Sequence, residues 1–343
     1  MFCSRLDHFV KIESGTAPLF RCCHMANPPR FNSLVEMENS IWLKEIKSEF
    51  EQDRWPLECI RCRESEELGL DSVRTISNLK HAQLSSTRSD YIVADVVVDT
   101  VCNAACPICS EDLSSTIAKY KSIPINPFNG LDHLAGIDPD RIVQLDILGG
   151  EPGASRRSKQ FLDDLVKYKN LQAIHISTNG SMKIHQIESL LKKNIRVDLV
   201  ISMDGTERIF EYCRFPLKWS KFINSVKYYC DLRDQYSHLS ILLWSSISAL
   251  CINDLPNMLK FAQSMNIPLN GSPVQYPQAL SIYKKNFLTK GSKSLLEKSN
   301  FDFAKKIANL VETELDNTIE LEEFLKLNDS VRNISFKDYL TLC

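Results

Sequence analysis

The chain has 343 residues, 43% hydrophobic and 24% charged, so it can bury a substantial core and lies outside the compositions of disordered or collagen-like chains. Forty-one basic against 43 acidic side chains leave a net charge of −2, which gives no bulk electrostatic reason to expect a polyanionic partner. No run is apolar enough to span a membrane, and Arg5, Asp7, His8 and Lys11 interrupt the start where a signal peptide is apolar, so the expectation is a cytoplasmic enzyme.

Residues 1–87 lack regular periodicity and carry Cys3, Cys22, Cys23, Cys59 and Cys62, five of the chain's 12 cysteines. A chain of this size without an export signal keeps its thiols reduced, so clustering points to metal, zinc or iron–sulfur, rather than to disulfides. Cys59-Ile60-Arg61-Cys62 alone reads equally as a zinc knuckle or a redox pair. This segment is expected to form a separate small module. Over residues 88–280, β-rich apolar runs at 91–99, 142–148, 171–177, 197–203, 240–247 and, more weakly, 269–275 alternate with helical patterns at 115–121, 158–167, 185–193, 218–233 and 255–265. Such alternation predicts an α/β fold with parallel strands. Six units suit a partial (β/α)6 TIM-like barrel, and periodicity alone leaves an open doubly wound sheet as the alternative. Residues 281–343 read as a helical C-terminal extension, with amphipathic stretches at 295–313 and 320–327. Its acidic run, Glu312, Glu314, Asp316, Glu320, Glu322 and Glu323, reads as a solvated helix face.

In either parallel architecture ligands sit at the carboxyl ends of the strands. The first four predicted strands end in Cys102–Cys109, Gly149-Gly150-Glu151-Pro152, Thr178-Asn179-Gly180 and Asp204-Gly205, which should converge on one face. Cys102, Cys106 and Cys109 are spaced CxxxCxxC directly after a strand. Three thiolates are one short of a closed tetrahedral zinc site or a fully ligated cubane, which leaves one metal position open. A structural zinc completed from a distant residue is the alternative.

The cysteine segment resembles the cluster loop of the radical S-adenosylmethionine (radical SAM) superfamily, with Ile108 where that family usually has an aromatic residue. The resemblance covers about 190 residues and implies a [4Fe–4S] cluster on Cys102, Cys106 and Cys109 whose fourth iron binds S-adenosylmethionine. It implies that Gly149, Gly150 and Glu151 receive the methionine ammonium. Ser177, Asn179, Ser202 and Asp204 would then meet ribose, methionine carboxylate or substrate, and Ser246, Ser248 and Asn253 would supply the fifth-strand contacts. Reductive cleavage would release a 5′-deoxyadenosyl radical that abstracts hydrogen from a substrate carbon, fed by a flavodoxin- or ferredoxin-type donor.

Around the N-terminal cysteines, Gly15, Glu66, Gly69, Ser72 and Arg74 complete a pattern similar to the auxiliary-cluster twitch module, a shortened SPASM domain. The resemblance implies a second [4Fe–4S] cluster on Cys3, one of Cys22 and Cys23, Cys59 and Cys62, with zinc as the alternative. Relatives usually carry the module after the barrel. Arg214, in the stretch 211–216, reads either as a carboxylate- or phosphate-binding cation or as a loop salt bridge. Cys213 beside it reads as packing or as a hydrogen-atom donor in a strand-end loop. The expected substrate is a ribosomally made peptide, with a small metabolite or a nucleoside or nucleic-acid base as the alternative. An iron–sulfur electron carrier is the non-enzymatic alternative. Arg214, Lys284, Lys285 and Lys290 are expected to hold an anionic feature of the substrate, and duplex nucleic acid is not expected to bind.

Overall fold

Six β-branched, apolar segments set the frame of the computed structural model, which describes residues 1–13, 16–67, 69, 71–84, 88–125, 130–282, 288–299, 302–310 and 318–340. Gly15, Lys284, Lys285, Glu312, Glu314, Asp316 and Cys343 lie outside the described residues. The strands are β1 (Phe9–Ile12), β2 (Leu19–Phe20), β3 (Ile92–Asp99), β4 (Ile142–Gly149), β5 (Ala173–Thr178), β6 (Arg196–Ser202), β7 (Leu239–Ile247) and β8 (Leu269–Pro273). They form one sheet in the order β2-β1-β3-β4-β5-β6-β7-β8. Neighbours from β1 to β8 are parallel, and the two-residue β2 runs antiparallel to β1. The protein is a mixed α/β fold on a mostly parallel sheet. Among the described residues no helix is long and apolar enough to cross a membrane.

Each of β3–β8 falls within one or two residues of its expected position, because long β-branched runs leave little choice of element. The first residues behave differently from the expectation of a self-contained module. Phe9, Val10, Lys11 and Ile12 pair in parallel with Val93, Ala94, Asp95 and Val96, so residues 1–87 contribute two strands to the common sheet. Four apolar-flanked residues among scattered cysteines are too short a run to show a period.

The two faces of the sheet differ. Side chains at i and i+2 share a face, and from β4 to β7 buried positions alternate with half-exposed ones. One face packs Leu145, Ile147, Ile174, Ile176, Leu199 and Ile241 against Phe161, Ile187, Leu190, Phe222, Val226 and Met258 of the intervening helices. Each fully buried aliphatic side chain there stabilises the fold by roughly 1.5–3 kcal/mol. The opposite face is polar. Lys11, Asp95, Asp146, His175, Asp198 and Ser240 lie in cross-strand register, forming one row from β1 to β7. A sheet covered by helices on both faces reads as near-continuous apolar strands; here, among the longer strands β3 to β8, β3 alone is buried at every position.

The polar face is roofed at the amino-terminal half of the strands by the helix Val73–His81, over a cavity of about 510 Å³ lined by Asp146, His175, Arg196 and Asp198. That helix starts at Ser72, whose hydroxyl accepts from Thr75 N–H (3.1 Å) in a reciprocal capping box. Toward the other end, the helix Thr318–Arg332 docks through Leu321 and Leu325 on an apolar cluster with Tyr212, Leu280 and Phe336. The single helix expected over 295–313 is replaced by Lys290–Glu297 and Asp302–Leu310.

Candidate active site

The loop carrying Cys102, Cys106 and Cys109 leaves β3 at its carboxyl end and is fastened on several sides. Ser115 and Thr116, at the start of the helix Ser115–Tyr120, hold Cys102: its N–H donates to Ser115 Oγ (3.1 Å) and its carbonyl accepts from Thr116 Oγ1 (2.6 Å). Ala105 N–H donates to Phe215 O (2.6 Å), and Cys109 N–H to Cys106 O (3.0 Å). Asn103 reaches the β5 end, giving a hydrogen bond to Ser181 Oγ (2.9 Å) and receiving one from Asn179 Nδ2 (2.8 Å). This makes Asn103 a positioning residue that the sequence reading passed over.

Gly149 and Gly150 are needed by the same loop. Gly149 has φ +117, and a Cβ on Gly149 would lie 2.2 Å from Asp99 O, or on Gly150 2.2 Å from Val101 O. Gly150 N–H donates to Asp99 O (2.9 Å) and Glu151 N–H to Val101 O (2.7 Å), so the turn after β4 lies directly against the residues that lead into Cys102. Only glycine permits that approach. The carboxylate of Glu151 is 1% exposed and faces the β5 end. It accepts from Asn179 N–H (2.6 Å), Thr178 Oγ1 (2.7 Å) and Gly153 N–H (3.0 Å). Burial pushes this carboxyl up and those donors pull it back.

Asp204, after β6, is likewise buried. Its Oδ1 accepts from Ser246 N–H (2.9 Å) on β7, and its Oδ2 pairs with Arg214 Nη2 at 2.7 Å. The other arm of Arg214 points at Cys106 Sγ (3.8 Å), and its Nε is buried without a partner. Arg214 is thus engaged inside the protein by a carboxylate and a thiol, where the sequence reading had it either salt-bridged or free for an anionic substrate. Ser177 and Ser202 stand half-exposed on the polar face. Ser248 is buried, its Oγ 3.7 Å from Cys251 Sγ and accepting from Leu250 N–H (3.3 Å). Asn253 Oδ1 accepts from Thr289 N–H (2.9 Å), which fastens the helix Lys290–Glu297. Cys213 is placed in no loop: it ends the helix Glu207–Cys213 and packs with Tyr212, Leu250 and Leu280.

Burial raises all three loop thiols, Cys102 to about 12 and Cys109 to about 11, with the Cys106 thiol adding to the effect at Cys102 and Cys109 and Arg214 opposing it at Cys106 and Cys109. Left to themselves they stay protonated at neutral pH, and a positively charged metal centre would be needed to hold them as thiolates. The residues suit such a centre. The thiols are soft ligands, the guanidinium beside Cys106 offsets thiolate charge, and one side of the loop opens on a cleft of about 670 Å³ that reaches Cys106 and Cys109. As they stand, no three His, Cys, Asp or Glu side chains among the described residues are gathered as ligands of a single metal ion.

A second cysteine set lies at the other end of the strands. Cys3 precedes β1, and Cys22 follows the antiparallel β2, so both belong to the amino-terminal end of the sheet. Cys3, Cys22, Cys59 and Cys62 line one cavity with Phe50, Trp55 and Arg74. Cys23 is exposed and does not line this cavity; its Sγ lies 3.7 Å from Arg5 Nη2. Burial, followed by the neighbouring Cys3, Cys22 and Cys62, pushes the Cys59 thiol far up. The pattern that follows Cys62 has a visible structural task. Glu66 accepts from Ser72 Oγ (2.5 Å) and Arg74 Nε (2.9 Å), and Arg74 Nη1 donates to Phe2 O (2.6 Å), which ties Cys62 to the start of the chain.

No family model matches the chain, and no curated protein matches it. Among solved structures, SuiB from Streptococcus suis bound to S-adenosylmethionine is 15% identical with a TM-score of 0.37, over 71% of this chain and 56% of that one. SuiB bound to the precursor peptide SuiA is 14% identical with a TM-score of 0.35, over 84% and 60% respectively. The matched region therefore spans little more than half the length of those proteins. Likenesses this distant carry no weight for the chemistry, which rests on the residues of this chain.

Proposed function

We propose that the protein is a radical SAM enzyme that modifies a peptide. The observation that carries this reading is the convergence at one end of the parallel sheet of the CxxxCxxC loop, the Gly149-Gly150-Glu151 turn beneath it and the Asp204–Arg214 pair facing Cys106. In this reading the half-open polar face is the lumen of a partial (β/α)6 barrel, whose alternating strands leave room for ligand on one side. Cys102, Cys106 and Cys109 would hold a [4Fe–4S] cluster, and the four cysteines of the N-terminal cavity an auxiliary one. The chemistry such a centre supplies with S-adenosylmethionine is reductive cleavage of the sulfonium, yielding a 5′-deoxyadenosyl radical for hydrogen abstraction.

The chain's own residues do the positioning. Ser177, Ser202 and Ser246, at the upper ends of β5, β6 and β7, offer polar groups toward S-adenosylmethionine on the open face. Gly149, Gly150, Glu151, Asn179, Asp204 and Ser248 are already used by hydrogen bonds or close packing within the chain, and act by fixing the cysteine loop and the strand ends around it. Arg214 balances charge at Cys106 and stands as a positioning group. Electrons would come from a flavodoxin- or ferredoxin-type donor. The test is anaerobic reconstitution with iron and sulfide, reduction with dithionite and assay for 5′-deoxyadenosine from S-adenosylmethionine. Wild-type protein should form it and Cys106→Ala should not; absence of 5′-deoxyadenosine from iron-loaded, reduced wild type would overturn the reading.

A further inference from the structure

The cleft beside the cysteine loop has a chemical character of its own. One wall is the loop and the helix Ser115–Tyr120, with Ile117 and Tyr120; the other is the helix Thr318–Arg332, with Phe324 and Leu327. At about 670 Å³ it has room for several amino-acid residues and far more than one side chain needs. Bulky apolar groups stand open to solvent along it: Tyr276 is 83%, Leu327 67% and Tyr120 39% exposed. Apolar surface gathered at the mouth of a cleft and rimmed by charge marks a binding surface rather than a random exposure.

The charges on that rim are unbalanced. Glu111 is neutralised by Lys121 (2.8 Å), and Arg332 by Asp329 (2.9 Å). Asp112 on one wall and Glu320 and Glu323 on the other are exposed, and among the described residues none of the three forms an ion pair. The cation expected to meet an anionic substrate, Arg214, is buried and already paired with Asp204. Lys290 lies exposed on its own helix, outside the residues that line the cleft. Among the described residues the open surface that reaches Cys106 and Cys109 is therefore acidic and aromatic, where an anionic ligand would meet repulsion from both walls.

We infer that this cleft binds an extended peptide segment in which lysine or arginine side chains alternate with bulky apolar ones. The basic groups would meet Asp112, Glu320 and Glu323, and the apolar groups Tyr120, Tyr276, Phe324 and Leu327. A simple polyamine would leave the apolar walls unused, and an apolar ligand would leave three carboxylates facing it. The inference deepens the peptide reading above by naming the class of peptide and the route to the cysteine loop, and its binding step stands without any iron chemistry.

The experiment is fluorescence anisotropy with full-length protein and two fluorescein-labelled octapeptides, one alternating Lys and Leu, the other alternating Glu and Leu, at about 50 and about 200 mM NaCl. The basic peptide should bind at least about tenfold more tightly, with the advantage shrinking at the higher salt. Glu320→Lys/Glu323→Lys should weaken it about tenfold, and Leu327→Asp should weaken it even with the acidic rim intact. Asp231→Lys, on the remote helix Trp219–Gln235, should change nothing, and circular dichroism checks that each variant is folded. Equal binding of both peptides, or an equal loss in the Asp231 variant, would overturn the inference. Peptide preference without 5′-deoxyadenosine formation would leave the cleft standing and sink the radical reading; the reverse result would do the opposite.

Discussion

The two cysteine sets sit at opposite ends of the same parallel strands and are built in contrasting ways. Cys102, Cys106 and Cys109 follow β3 in a loop held by backbone and hydroxyl hydrogen bonds, with one side open on a cleft. Cys3, Cys22, Cys59 and Cys62 come from three separate segments and face one another around a shared cavity with Phe50 and Trp55. The open set is contiguous in sequence and its loop is braced by hydrogen bonds from neighbouring segments, so the loop keeps its course without help from a ligand. The enclosed set is brought together only by tertiary structure, so whatever fills the cavity also holds three segments in place.

The largest expected effect separates the two directly. If each set holds a cubane, wild-type protein should bind about eight irons, and replacing either set by alanine should leave about four. Losing the enclosed set should also lower the melting temperature, whereas losing the open set should leave it nearly unchanged. The reverse ranking in a thermal melt of the reconstituted variants would break the contrast. Within the enclosed set, Cys22→Ser should cost that iron and Cys23→Ser should not, since only Cys22 lines the cavity.

A smaller effect concerns how the open loop is braced. Gly150→Ala should destabilise the protein by about 1–3 kcal/mol, the typical cost of overpacking, because its Cβ meets a backbone carbonyl 2.2 Å away. If the glycine served only to admit a ligand, urea unfolding of the free protein would be unaltered and S-adenosylmethionine binding alone would suffer.

The third effect belongs to the N-terminal side. Burial lowers the His81 imidazole to about 4, and its Nδ1 has no partner. An unfolded histidine titrates near 6.5, so between those values the unfolded chain binds more protons than the native one. This contribution is fully present above about pH 6.5 and is lost as pH falls toward 4, at most about 3 kcal/mol. His81→Leu should flatten that part of the stability profile, measured as urea midpoints at pH 7 and pH 4.5. An unchanged slope would show that the helix Val73–His81 does not bury its histidine in solution.

Much of the frame was legible because local chemistry and tertiary demand agree in it. Val96, Val97 and Val98 belong in a strand whatever surrounds them, and the polar or glycine-rich ends of β3 to β6 pointed to the right end of the sheet. The helix Glu207–Cys213 takes in Cys213, for which the sequence predicts a strand-end loop, since seven residues with no side-chain cap give little periodic signal. The fate of Arg214 was beyond sequence, because its partners Asp204 and Cys106 are ten and 108 positions away. The polar row Asp146, His175, Asp198 and Ser240 had a readable sign in the alternation of polar and apolar residues within each strand, but strand register is needed to align one strand with the next.

The short strand β1 has a consequence at the rim of the sheet. β3 is the longest stretch buried at every position, eight residues rich in valine, and without a neighbour on that side it would present unpaired N–H and C=O groups beside an apolar surface. At the opposite edge β8 protects itself, with five residues that include Gly271 and end in Pro273. By laying Phe9–Ile12 along β3 and finishing with the two-residue β2, the N-terminal segment acts as a guard against intermolecular strand pairing, a service to solubility that is independent of any metal it holds.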